Sequence, residues 1–169
     1  KITSRRFIDW FITTPTMLIS TIIFMEYLRK KEASEDTLYF WDFIKNHEKN
    51  ILLIVVLNFF MLLCGLLAET GKIDKKYGIL LGFVFFIASF GVIYENYAKH
   101  TEGGIKLFSF LFIVWSLYGV SAMMPIVPKN ACYNILDIIA KNFYGLFIYY
   151  YITQIGSRSR YSFNFIKKG

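Results

Sequence analysis

Lys141 stands one helical turn after Asp137 in an otherwise apolar run, Ala131-Cys-Tyr-Asn-Ile-Leu-Asp137-Ile-Ile-Ala-Lys141-Asn-Phe-Tyr-Gly145. A spacing of four puts the carboxylate and the amine on one helix face, where they can interact. A charge near the centre of a bilayer costs roughly 2.5 to 3.5 kcal/mol on insertion scales, so such residues are rare and usually functional. A second polar run, Arg6-Phe-Ile-Asp9-Trp-Phe-Ile-Thr13-Thr14-Pro15, lies in another apolar segment. One lysine, two aspartates and an arginine in apolar surroundings suit a covalently attached cationic cofactor with its counter-ions. Asp137 and Lys141 by themselves fit a buried structural ion pair equally well.

Long apolar helices are needed to hold such groups. The 169-residue chain is 56% hydrophobic and 20% aromatic, with 18% charged residues and a mean hydropathy of +0.45. Soluble domains carry about 25% charged residues, so this balance points to lipid. One crossing of the bilayer's apolar core takes about 20 helical residues. Five stretches qualify, approximately 6–28, 50–70, 77–98, 105–127 and 131–155. Charges or turn residues bound them, among them Arg29-Lys-Lys31, Glu69-Thr-Gly-Lys72 and Pro128-Lys-Asn130. The fold class is therefore all-α, a polytopic transmembrane helix bundle. With no repeat, low-complexity tract or long linker, residues 1–169 read as one domain.

Details of the spans agree with this class. Pro15 would kink the first span, which a bundle tolerates because neighbours re-satisfy the freed carbonyl. Leu38–Ile44 is aromatic and too short to cross, and suits an interfacial segment at headgroup depth. Gly78, Gly82 and Gly91 permit close helix approach in the third span. With the C-terminal tail in the cytoplasm, loops 29–49 and 99–106 and the tail carry eleven lysines and arginines, against six on the opposite side. That excess favours a cytoplasmic C-terminus. The net charge of +7 then reports topology, and no nucleic-acid partner is expected. Cys64 and Cys132 lack metal spacing and read as small buried hydrophobes. His47 and His100 fall in expected loops and read as solvated, so no metal site is expected.

Three runs carry a family resemblance. Arg6-x-x-Asp9-Trp10-x-x-Thr13-Thr14-Pro15 resembles the third helix of microbial (type 1) rhodopsins, the bacteriorhodopsin-like family. Trp115-x-x-Tyr118 resembles the sixth helix, and Leu136-Asp137-x-x-Ala140-Lys141-x-x-x-Gly145 the seventh. They occur in the family's order, with two spans between the first run and the second. The resemblance implies seven helices, of which this chain would hold the last five. It also implies a non-enzymatic protein that binds all-trans retinal as a Schiff base on Lys141, in a lipid bilayer, with oligomerisation left open. A lysine in an apolar site suits that role, because desolvation frees its amine to attack an aldehyde. Asp9 and Asp137 would be the counter-ions, with Arg6 balancing the second negative charge and Thr13 bonding the Asp9 carboxylate. Trp10, Trp115 and Tyr118 would pack on the polyene, and Tyr118 could donate to Asp137. Met17, Asn58, Met61, Gly65 and Tyr133 match pocket-lining positions, although helix packing explains Asn58, Met61 and Gly65 equally well.

Departures from the pump pattern narrow the expected function. Relatives that pump protons carry a carboxylate seven residues after the threonine to reprotonate the Schiff base. Here that position is Ser20, giving an Asp9-Thr13-Ser20 signature that resembles the group containing viral rhodopsins. A serine cannot donate a proton at physiological pH, which leaves water, Glu26 or Glu95. The connection Met124–Asn130 has no acid, so the paired external release glutamates are absent. Gly119 replaces a usual proline and Ala122 an aromatic, opening space beside the chromophore. The leading expectation is a light-driven outward proton transporter in which the Schiff-base proton passes to Asp9. A sensory receptor that signals to a partner and a light-gated ion channel are the alternatives.

Overall fold

The computed structural model describes the backbone of residues 2–33 and 38–166, and the side chains of 5–33, 38–147 and 149. Among the described residues the chain is all helical, without a strand. Six α-helices follow in order: α1 (Ile2–Glu32), α2 (Phe40–Asn46), α3 (Glu48–Glu69), α4 (Lys75–Asn96), α5 (Glu102–Ser121) and α6 (Ile126–Ile166). Segments of α1, α3, α4 and α5 are long and apolar enough to cross a membrane. The fifth expected span coincides with α6, whose first sixteen residues already include Lys129, Asp137 and Lys141. Lys1, Lys167 and Lys168, counted in the charge asymmetry, lie outside the described residues, as do the side chains of Arg158 and Arg160.

Helix boundaries follow local chemistry. Asp74 accepts from the backbone N–H of Lys76, and Thr101 from that of Gly104, so α4 and α5 each start on a side-chain cap. Such a cap satisfies a donor that the first helical turn leaves unpaired. The expected connection Met124–Asn130 proves largely helical. Span four ends at Ser121 rather than 127, and α6 begins at Ile126 rather than 131. Pro128 stands in the first turn of α6, where its missing N–H has no intrahelical partner to lose. The expected interfacial segment is α2, with Phe40 and Trp41 exposed and Phe43 driven into the core.

One hydrophobic cluster joins the elements. Leu18, Ile22 and Met25 of α1 recur at i, i+4 and i+7 and are fully buried, the stripe that an amphipathic helix turns to its neighbours. They meet Ile54 of α3, Phe90 and Ile93 of α4, and Leu107 and Leu111 of α5. Gly78 lets α4 approach α3, since a Cβ there would lie 2.6 Å from that of Ala68. Gly82 is likewise buried against α3, whereas Gly91 faces open space. The opposite side of the molecule is open: Ile8 and Ile12 of α1 and Ile135 and Ile138 of α6 are all more than half exposed.

A buried ion pair ties the ends of α3 and α6. Lys129 Nζ lies 2.8 and 2.9 Å from the two Glu69 carboxylate oxygens, with side chains only 3% and 17% exposed. Removing one partner of such a pair strands a buried charge and costs about 3–5 kcal/mol, whereas replacing both with apolar groups is often neutral. Lys129→Met is therefore expected to lower the thermal unfolding midpoint clearly, and Lys129→Met with Glu69→Leu to regain most of it. Equal midpoints for the wild type and Lys129→Met would show that the pair is not a closed buried contact.

Candidate functional site

Two side-chain bridges span the gap between α1 and α6. At one end Arg6 Nη1 donates to Asp137 Oδ2 at 3.0 Å, and Nη2 to Asn134 Oδ1 at 2.9 Å. Tyr118 of α5 donates its hydroxyl proton to the other Asp137 oxygen. About two turns further along α6, the Thr21 hydroxyl lies 3.1 Å from that of Tyr144. The bridges frame a cavity of about 440 Å³, lined from α1 by Trp10, Thr13, Met17 and Ser20, from α3 by Met61, and from α5 by Trp115 and Tyr118. Asp137 and Lys141 line it from α6. Its size and mostly apolar walls with few polar groups are those of a small-molecule site.

The aromatic wall is built edge to face. Trp10 stands 5.3 Å from Tyr118 and 5.2 Å from Tyr133, both near perpendicular, an arrangement that ring quadrupoles favour. The Arg6 guanidinium carbon lies 5.4 Å from the Tyr133 ring centre, and the buried Arg6 Nε lacks a partner among the described residues. Met17 and Met61 line the main cavity, whereas Gly65 and Tyr133 line a smaller neighbour of about 110 Å³. Asn58 lines neither. It is 1% exposed and donates to Thr14 Oγ1 at 2.9 Å, fastening α3 to α1 just behind the cavity wall.

Several expected contacts take a different form. The Thr13 hydroxyl donates to the Asp9 backbone carbonyl at 2.9 Å, the usual i−4 contact of a helical threonine, rather than to the Asp9 carboxylate. Asp137 is engaged by Arg6 and Tyr118 and makes no ion pair with Lys141. Asp9 and Lys141 are both exposed on the open face, and neither makes a side-chain ion pair among the described residues. Ser20 lines the cavity and donates to the Thr16 carbonyl at 2.8 Å. Phe83 lies over Gly119, where a Cβ would come within 2.3 Å of its ring. It takes much of the space that the missing proline side chain leaves, and the rest, beside Gly119 and Ala122, belongs to the smaller cavity.

Some lining residues carried no sequence signal of their own. Tyr144 is three residues after Lys141 and so shares its face, a spacing that could have pointed to it. Phe83 and Phe86 enter the smaller cavity from a phenylalanine-rich helix in which no single position stands out. The two candidate proton sources separate clearly. Glu26 is buried and bonded to Arg29, whereas Glu95 is exposed and paired with Lys99 at 2.7 Å.

Residues 1–155 match the family of bacteriorhodopsin-like proteins. Among solved structures, the crystal structure of viral rhodopsin OLPVRII resembles the chain with a TM-score of 0.77 and 30% sequence identity, over 91% of this chain and 68% of that one. No curated protein matches it.

Proposed function

Because the chain belongs to the bacteriorhodopsin-like family, whose members bind retinal through a lysine Schiff base, we propose that Lys141 holds all-trans retinal and that light drives its proton to Asp9. The protein is an integral membrane protein of the retinal photoreceptor type. The observation that carries the finer reading is the position of Lys141. Among the described residues it is the only amine lining a 440 Å³ cavity whose walls are mainly apolar and aromatic. Those walls fit a polyene, and the single amine fits its aldehyde. Retinal supplies light absorption and a photoisomerisation that displaces the proton on the lysine nitrogen.

The chain's own residues then divide the work. Asp137 already accepts from Arg6 and Tyr118, so both of its carboxylate oxygens are engaged. Asp9 has no such partners among the described residues, so its carboxylate is free to take the proton of the Lys141 nitrogen. Trp10, Trp115 and Tyr118 restrict the polyene, and Arg6 guards the passage beyond Asp9. Asp9, Thr13 and Lys141 exposed to lipid would be costly. Two further helices, the completion that the resemblance implies, would cover this face. The excess of basic residues supports a cytoplasmic C-terminus and outward transport. Illumination of unbuffered vesicles is then expected to change the external pH, and a protonophore to abolish the change. Bleaching without any pH change would favour a sensor.

The hydroxyls of Thr13, Thr14, Thr16 and Ser20 along one cavity wall favour a second reading, a light-gated channel. A photocurrent that reverses sign with voltage would identify it.

Ser20 sets the speed of recovery. With no carboxylate there, the Lys141 nitrogen must regain its proton from elsewhere. Ser20→Asp is expected to speed that step at neutral pH, because the helices proposed to cover this open face would shield an unpaired carboxylic acid there from water and keep it protonated. Transfer from a positioned acid is typically worth about 10²–10⁴ in rate, and intervening water reduces this. Flash spectroscopy measures it. Wild-type recovery that is already fast, independent of pH and unaltered by Ser20→Asp would show that an internal donor exists.

A further inference from the structure

The end of the bundle away from Arg6 holds a second group of titratable side chains, which the retinal site does not use. Glu26, about 9 Å along α1 from Ser20, is 5% exposed. Its carboxylate accepts from Arg29 Nε at 3.1 and 3.2 Å and from Nη2 at 2.7 Å. These charge-assisted bonds engage both carboxylate oxygens, so Glu26 can take a proton only as it parts from Arg29. His47 joins α2 to α3, where a solvated loop histidine was expected. Instead its ring stacks on Phe43 at 4.5 Å between centres, and Nδ1 lies 2.9 Å from the hydroxyl of the fully buried Tyr97. Asn50 of α3 also bonds that hydroxyl.

The charged groups around this histidine come from α1 and from the start of α3, where the adjacent Glu48 and Lys49 are exposed. Glu26, Arg29 and Lys30 lie on α1, and both His47 and Lys30 are close enough to Glu26 to act on it electrostatically. Tyr97 caps the C-terminal end of α4, while Glu95 and Lys99 pair with each other at the exposed surface. From α2 comes the uncharged Phe43, with Asp42 and Lys45 exposed. Imidazole is the one side chain here that ordinarily exchanges protons between pH 5 and 8, and Phe43 and Tyr97 hold this one at the same end of the bundle as the buried Glu26.

We propose that His47 is the proton-collecting group of this mouth, taking protons from bulk water and passing them to Glu26 on the way to the Lys141 nitrogen. The inference rests on the proposed photochemistry. Bulk water gives a proton to the imidazole, and the imidazolium gives it to Glu26, which loosens from Arg29. Water admitted on opening carries it past the Thr21 and Tyr144 hydroxyls to the nitrogen. Glu26 returns to Arg29 and His47 to its neutral form, so each turnover delivers one proton from this mouth to the Lys141 nitrogen.

Flash spectroscopy on the full chain with retinal, from pH 4.5 to 9, tests this. With a collector, the recovery rate is level at low pH and falls about tenfold per pH unit above a break in the imidazole range. His47→Gln is expected to remove the plateau, so that the rate falls across the whole range, and to slow recovery at pH 7 at least tenfold. Added imidazole buffer should restore much of that loss. In the dark, retinal-free protein, the His47 titration followed by NMR should shift to lower pH in Glu26→Gln, because an anion beside the imidazolium is lost. A wild-type profile without a break, a plateau retained in His47→Gln, or a titration unmoved by Glu26→Gln would each overturn the proposal. The wild-type and NMR results hold even where His47→Gln folds poorly. Failure of wild type to form any pigment would instead overturn the retinal reading.

Discussion

Replacing Lys141 with alanine is expected to abolish the visible absorption band completely. Among the described residues Lys141 is the one amine lining the cavity, and none of those on α1, α3 or α5 could substitute for it. Alanine keeps the helix and leaves Asp137 on Arg6 and Tyr118, so the aromatic walls should persist. Retinal added to this variant would enter the cavity, if at all, without a covalent bond, and absorb as the free aldehyde in the near ultraviolet. A visible band retained in Lys141→Ala would end the assignment. Circular dichroism of the variant serves as the control, and its helical signal should match that of wild type.

The second large effect is expected at Asp9. An anion close to a buried cation stabilises its protonated form, typically by about 1–3 pKa units. Asp9→Asn should therefore lower the pKa of the retinal-bearing nitrogen. The protonated pigment that remains should absorb at longer wavelength, because the lost anion stabilised the ground state more than the charge-shifted excited state. Light-driven proton transport should fall below detection, since no acceptor remains. Asp137 cannot replace it while Arg6 and Tyr118 hold its two oxygens. A spectrum and a light-induced pH change both equal to wild type would show that Asp9 is not the acceptor.

Much of the site was legible because charged and aromatic residues are conspicuous inside apolar helices. Arg6, Asp137 and Tyr118 meet as their positions suggested, and Trp10, Met17, Met61 and Trp115 line one cavity. What could not be read depends on contacts between distant parts of the chain. Glu69 and Lys129 stand sixty residues apart, and no local pattern announces that they meet. His47 looks like a loop residue in sequence, yet Tyr97, fifty residues on, captures it. The prolines at 125 and 128 suggested a connection, although a proline in a first helical turn costs little. Phe83 over Gly119 shows the same limit: a missing side chain predicts space only until a neighbour moves in. The Asp9–Thr13 contact differed for a local reason, since a helical threonine hydroxyl has the i−4 carbonyl within constant reach.

Borohydride reduction of the retinal-loaded full chain, followed by peptide mass spectrometry, tests the central claim most directly. Reduction converts a carbon–nitrogen double bond into a stable amine, fixing the chromophore to whichever residue holds it. The retinyl mass is expected on the peptide containing Lys141 and on no other. An unmodified Lys141, or a retinyl group on any other lysine, would contradict the account.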